Sequence, residues 1–193
     1  LVVPAAQTGG LILYVPAGDT GLVARVTNLP MVTVETGELD IARFIQVAEN
    51  PYSPLEQPLP EQNRWDILLD LPADSSQEIR LPLRPDGSPL APGLYFYTPT
   101  SPVLEARSVQ TVPYLLVSSR LQLAIKSGGG EALIWAVDLP TQSPAEDLPV
   151  AIYDSAGKQI AACRTDADGL CRAVLPGLKD SYSTLYAVSG QPG

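Results

Sequence analysis

Apolar residues come in runs no longer than a β-strand, recurring roughly every 8–15 residues with prolines and glycines between them. Among the longest are GLILYV (Gly10–Val15) and PYLLV (Pro113–Val117). Both fall far short of the ~20 residues a helix needs to span a bilayer. The 20 prolines and 15 glycines lie between apolar runs rather than in repeats, as turn punctuation does in an all-β protein. A chain patterned this way can bury its apolar surface only by pairing many short strands into packed sheets.

The strand-like segments of the first part are Gly10–Val15, Leu22–Thr27, Val32–Thr36, Trp65–Leu71, Gln77–Leu83, Leu94–Thr98 and Val112–Ser118. In Gln77–Leu83, Ile79, Leu81 and Leu83 alternate with Glu78 and Arg80, the period-2 mark of a half-buried strand. One segment breaks this rhythm. Glu38–Asn50 sets Ile41, Phe44, Ile45 and Ala48 at helical spacing, with Thr36 or Asp40 as a cap, and a proline-rich loop, Pro51–Pro60, follows. Past Ser118–Ser119 the strands are Leu121–Lys126, Ala132–Asp138, Leu148–Tyr153, Gln159–Arg164, Leu170–Leu175 and Thr184–Val188. Asp154-Ser-Ala-Gly157 spells a type I turn followed by a left-handed glycine, which closes a hairpin. Thr165-Asp-Ala-Asp-Gly169 reads as a second hairpin loop, so the last strands form a three-strand meander. The sequence therefore predicts two tandem antiparallel β-sandwiches of immunoglobulin-like type. They occupy residues 1–118, with one short helix inserted, and residues 119–193.

Composition removes most chemistry. The chain holds 12 basic and 21 acidic residues for a net charge of −9, against the basic face that nucleic acids and anionic membranes require. It has no histidine, which removes the usual general base and the commonest transition-metal ligand. With only two cysteines it cannot build a four-thiolate zinc site. The expectation is no catalytic residue, no cofactor and no metal. The chain starts at Leu1 without a methionine and ends in SGQPG, so it reads as a piece of a longer protein whose signal or anchor lies elsewhere.

The two cysteines flank the Thr165–Gly169 loop. If Arg164 pairs with Leu170 at the loop mouth, Cys163 opposes Cys171 in the next cross-strand pair, with Cα atoms ~4.5 Å apart. A bridge there closes a short loop and contributes ~2 kcal/mol or less. It would also place the chain in an oxidising periplasm or outside the cell. The alternative is two reduced, half-buried thiols that face one another.

Other motifs weigh less. Ser155-Ala-Gly-Lys158 matches the SxxK of penicillin-interacting enzymes, but it sits in a β-turn with no helix to aim the lysine. Asp166 and Asp168 with Gly169 resemble the start of an EF-hand without its later ligands, and turn chemistry accounts for them; a weak surface calcium site stays open. Gly128-Gly-Gly130 lacks the residues of a phosphate loop and joins two strands. A Lys–Asn isopeptide bond within either half is excluded, since 1–118 has no lysine and 119–193 no asparagine. Trp65, Trp135 and Tyr95-Phe-Tyr97 lie inside apolar strands, where core packing is favoured over a sugar-binding platform.

From Ser118 onward, SSRLQLAIKSGGGEALIWAVDLPTQSPAEDLPVAIYDSAGKQIAACRTDADGLCRAVLP resembles a macroglobulin domain of the bacterial alpha-2-macroglobulins. The resemblance runs through Lys126 before a glycine-rich turn, Trp135 and Asp138-Leu139, Val150 to Asp154, and Thr165 to Gly169. The family's Gly-Lys-Pro before the third strand is here Gln142-Ser143-Pro144, a partial match. The first half resembles the preceding macroglobulin-like domain through VARVTNLPMVTVET and LPLRPDGSPLAPGLYFYT, with Leu90, Pro92, Gly93 and Tyr95.

The resemblance implies two macroglobulin-type sandwiches from a large, periplasmic or secreted, often membrane-anchored protease trap. In that family a protease cuts a bait region, and a Cys-x-Glu-Gln thioester can couple to it. Neither Cys163, followed by Arg-Thr-Asp, nor Cys171, followed by Arg-Ala-Val, fits that signature, and no bait region is identifiable. The implied role is a non-enzymatic structural scaffold in a protease inhibitor. Its partners would be neighbouring domains of the same parent chain and, through the parent, target proteases. A tandem immunoglobulin-like stalk of an exported adhesin is the alternative.

Overall fold

The computed structural model describes residues 12–50, 63–72, 74–108, 112–176 and 184–190. The loop Pro51–Pro60 and the first two residues of the Gly10–Val15 segment lie outside them. The chain divides into two compact units, Leu1–Asp40 with Val47–Ser118, and Ile41–Gln46 with Ser119–Gly193.

In the first unit the strands are β1 (Ile12–Pro16), β2 (Gly21–Thr27), β3 (Met31–Glu38), β4 (Asn63–Leu68), β5 (Ser76–Pro82), β6 (Gly93–Thr100) and β7 (Tyr114–Ser119). Five form one sheet in the order β1-β7-β6-β3-β4, and β2 pairs with β5 as a separate ribbon. Alternation decides the faces. In the ribbon, Ala24 opposes Ile79 and Leu22 opposes Leu81 on the inner side, while Arg25 opposes Glu78 outside in a 3.0 Å ion pair. Ala24, Val26 and Leu81 of the ribbon pack in one core with Val15, Val32, Val34, Tyr95, Tyr97 and Leu116 of the larger sheet.

Helix α1 (Ile41–Glu49) forms where the periodicity places it, and it buries Phe44, Ile45 and Val47. Its buried face thus takes in Val47 in addition to the predicted pair Phe44 and Ile45, while Ile41 and Ala48 are only half-buried. A second helix, α2 (Pro102–Ala106), was not expected from the apolar pattern. Its signal is Ser101 followed by proline at the first helical position, where the missing N–H costs nothing.

The second unit contains β8 (Leu121–Gly128), β9 (Glu131–Asp138), β10 (Ser143–Pro144), β11 (Pro149–Asp154), β12 (Gln159–Arg164), β13 (Leu170–Val174) and β14 (Leu185–Ser189). One sheet carries β8 on one side of β9, with β13 and the two-residue β10 on the other; the second sheet runs β12-β11-β14. Ile134, Cys171 and Ala173 of the first sheet pack against Val150 and Ile152 of the second, with Leu123, Ile125, Cys163 and Ala187 at the margin. The architecture is all-β and immunoglobulin-like.

The meander is corrected. β11 and β12 form the expected hairpin, but β13 leaves β12 and pairs with β9 in the opposite sheet. Thr165–Gly169 is therefore a corner between sheets, not a hairpin loop.

Candidate functional site

The inter-sheet corner gathers most of the residues that the sequence singled out. Thr165, only 5% exposed, anchors its near end. Its hydroxyl accepts a hydrogen bond from the Leu148 N–H at 2.8 Å and donates one to the Ala145 carbonyl at 2.6 Å. Its own N–H donates to the Leu148 carbonyl at 3.1 Å. The Asp166 carboxylate accepts from the backbone N–H groups of Asp168 and Leu170 at 3.0 and 2.9 Å, which closes the turn internally. Gly169 ends it at φ +72°, and a Cβ there would be driven into the Ala136 carbonyl oxygen. Local side-chain capture by Asp166 explains why this pentapeptide turns; the ties to Ala145, Leu148 and Ala136 explain why it turns across the sandwich.

Cys163 and Cys171 form a disulfide with their Cα atoms 5.9 Å apart, wider than the ~4.5 Å of directly opposed neighbours. They are not a cross-strand pair. Each sulfur points inward from a different sheet, so the bond staples the two layers of the second unit. Cys171 is buried and Cys163 half-buried.

Asp154–Lys158 forms as read. Gly157 has φ +77°, the Gly157 N–H donates to the Asp154 carbonyl at 3.0 Å, and the Asp154 carboxylate accepts from Ala156 and Lys158 N–H groups. Ser155 and Lys158 are therefore turn residues. Gly128–Gly130 joins β8 to β9, as expected. Among the described residues, no group of three His, Cys, Asp or Glu side chains is arranged to hold a metal ion.

The aromatic residues divide. Tyr95, Phe96 and Tyr97 are buried, with the Tyr97 hydroxyl donating to the Pro82 carbonyl at 3.0 Å. Burial pushes the Tyr97 phenol pKa well above its ordinary value. Trp65 packs at the edge of the first core. Trp135 does not follow. It is 50% exposed, because Ala132, Ile134 and Ala136 take the inner face of β9 and leave Leu133, Trp135 and Val137 on the outer one. The run IWAV is apolar on both faces, so composition alone could not tell which side the core would claim.

At the base of the same sheet, Asp138 is held by Arg120, whose Nη2 lies 2.5 Å from Oδ2, and by Thr141. Loss of solvent pushes the Asp138 carboxyl up, but the Thr141 N–H, the Arg120 guanidinium and the Thr141 hydroxyl together bring its pKa below the usual value.

With seven strands each among the described residues, the two units are immunoglobulin-like sandwiches in tandem, and solved structures similar to this chain include alpha-2-macroglobulin domains. A crystal structure of native alpha-2-macroglobulin from Escherichia coli spanning domains NIE-MG1 superposes with a TM-score of 0.62 at 15% identity, covering 92% of this chain and 93% of that one. A longer one from the same organism, spanning MG0-NIE-MG1, gives 0.62 at 18% identity, over 94% of this chain and 62% of that one. The cryo-EM reconstruction of the native E. coli protein gives 0.53 at 16%, and this chain spans 12% of it. At such identities the likeness is one of fold. Neither a protein-family model nor a curated protein matches the sequence.

Proposed function

We propose that this chain is a scaffold piece of a bacterial alpha-2-macroglobulin-like protease trap, made of two consecutive macroglobulin-like domains, 1–118 and 119–193, with no chemistry of its own. The observation that carries this reading is the match in fold over both units at once: 92% of this chain against 93% of a two-domain piece of E. coli alpha-2-macroglobulin. A single immunoglobulin-like sandwich would match many proteins, whereas a specific tandem is far more restrictive. The motif run from Lys126 to Gly169 points the same way. The domains would brace neighbouring domains of the parent chain and meet proteases only through it. A periplasmic or extracellular setting agrees with the Cys163–Cys171 bond, since disulfides persist in oxidising compartments. No helix among the described residues is long and apolar enough to cross a membrane.

The test is made on the intact parent protein, incubated with a broad-specificity protease with and without prior methylamine. Cleavage sites and compaction are followed by gel and mass spectrometry. One localised cut followed by compaction and retained protease is expected. Scattered cuts with no retained protease would overturn the trap and leave the adhesin stalk as the better account.

A further inference from the structure

The outer face of the β8–β9–β13 sheet carries an apolar strip, Val137, Trp135 and Leu133, along its central strand. Register fixes its layout in rows. Ala124, Trp135 and Leu170 form one row, and Lys126, Leu133 and Arg172 form the next. Val174 and Gly128 flank Glu131 in the row beyond. Trp135 is 50% and Val174 70% exposed, and Ala124, Lys126 and Arg172 are exposed beside them. Contiguous apolar surface of this kind marks an interaction site rather than a tolerated stray residue.

Charge selects the partner. Arg25, Arg64, Arg80, Arg120 and Arg164 are each neutralised by a carboxylate. Lys126 and Arg172 take part in none of these ion pairs, although the protein carries a net charge of −9. They stand on either side of Leu133, two strand spacings or about 10 Å apart, and roughly 7 Å along the strands from Trp135. Lys126 and Arg172 bracket Leu133 and outnumber Glu131, the carboxylate of the adjoining row, so the face complements carboxylates that bracket an apolar side chain. Exposed Trp beside Arg is also the composition of protein–protein hot spots. A bilayer needs more cations than this, and a sugar platform more than one exposed ring.

We infer that this face docks an acidic polypeptide segment, its apolar side chain seated on Trp135 and Leu133 and its carboxylates on Lys126 and Arg172. The site does not depend on the protease-trap reading. Because the protein as a whole repels an acidic partner, recognition is short-range and set by this pair of cations.

The experiment uses the whole chain with short synthetic peptides that share the same leucines and differ only in having Glu, Lys or Ser between them. Trp65→Phe leaves Trp135 as the sole tryptophan of the two, so its emission reports burial directly. Anisotropy of dye-labelled peptide on the unaltered protein gives an independent affinity. The Glu peptide should shift Trp135 emission to the blue and bind about tenfold more tightly than the Ser peptide. Lys126→Glu with Arg172→Glu, its circular dichroism spectrum and thermal transition unchanged, should invert the preference toward the Lys peptide. The inference is overturned if no peptide moves the emission, or if the three bind alike. It is equally overturned if Glu-peptide binding survives the charge reversal, or if phosphatidylglycerol vesicles or polygalacturonate are preferred to the Glu peptide.

Discussion

Thr165 uses its hydroxyl as both acceptor and donor while almost wholly buried, tying the corner to Leu148 and Ala145. Valine keeps the shape and removes both bonds, leaving the part-buried Leu148 N–H and Ala145 carbonyl without their side-chain partner. We expect Thr165→Val to lose roughly 2–4 kcal/mol in urea unfolding and Thr165→Ser to recover most of it. Tyr97 sets a pH dependence of the opposite kind from acid unfolding. Burial raises its phenol, and burial also raises Tyr95 and Tyr114. A raised folded-state pKa gives stability that is whole below the unfolded value of about 10, and that drains away as pH climbs from there through the folded values. Urea midpoints should therefore hold steady from about pH 8 to 9 and fall above about pH 10. Tyr97→Phe, which removes one titrating group, should flatten that alkaline limb.

At the scale of elements, the disulfide joins strands that share no hydrogen-bond ladder. β12 pairs with β11 and β13 with β9, so Cys163–Cys171 ties the sheets directly. The bond closes a loop of sequence separation 8. Chain entropy for so short a loop predicts a loss of about 2 kcal/mol for the paired Cys163→Ala and Cys171→Ala substitutions, or for reduction, measured by thermal melts with and without reductant. Most elements were legible before the structure. Ile79, Leu81, Glu78 and Arg80 declared β5 by alternation, Phe44 and Ile45 declared α1, and Asp154 with Gly157 declared the β11–β12 turn. The two-residue β10 and the five-residue α2 were not, because neither is long enough to carry a period. The partner of β13 was also hidden. A five-residue loop can return a strand to its neighbour or carry it across the core, and the contacts that decide, from Ala145 and Ala136, span 20 and 33 residues.

At the scale of the whole molecule, each unit closes its own core. Among the described residues the apolar cluster of the second spans Leu123 to Ala187 and that of the first Leu13 to Leu116, while Ile41–Gln46 of α1 groups with the second unit. We therefore expect residues 119–193 expressed alone to fold cooperatively, with a strand-type circular dichroism spectrum and a single sigmoidal denaturant transition. A broad, non-cooperative transition would show that the fragment depends on the rest of the chain. Strand spacing and turn residues were enough to establish an all-β tandem, since each acts through local chemistry that a sequence displays. The tertiary structure alone decided which sheet β13 joins, how the disulfide spans the sandwich, and that Trp135 faces outward. Those depend on which of two apolar faces meets a core built from distant strands, and nothing within a strand's own residues encodes its partner.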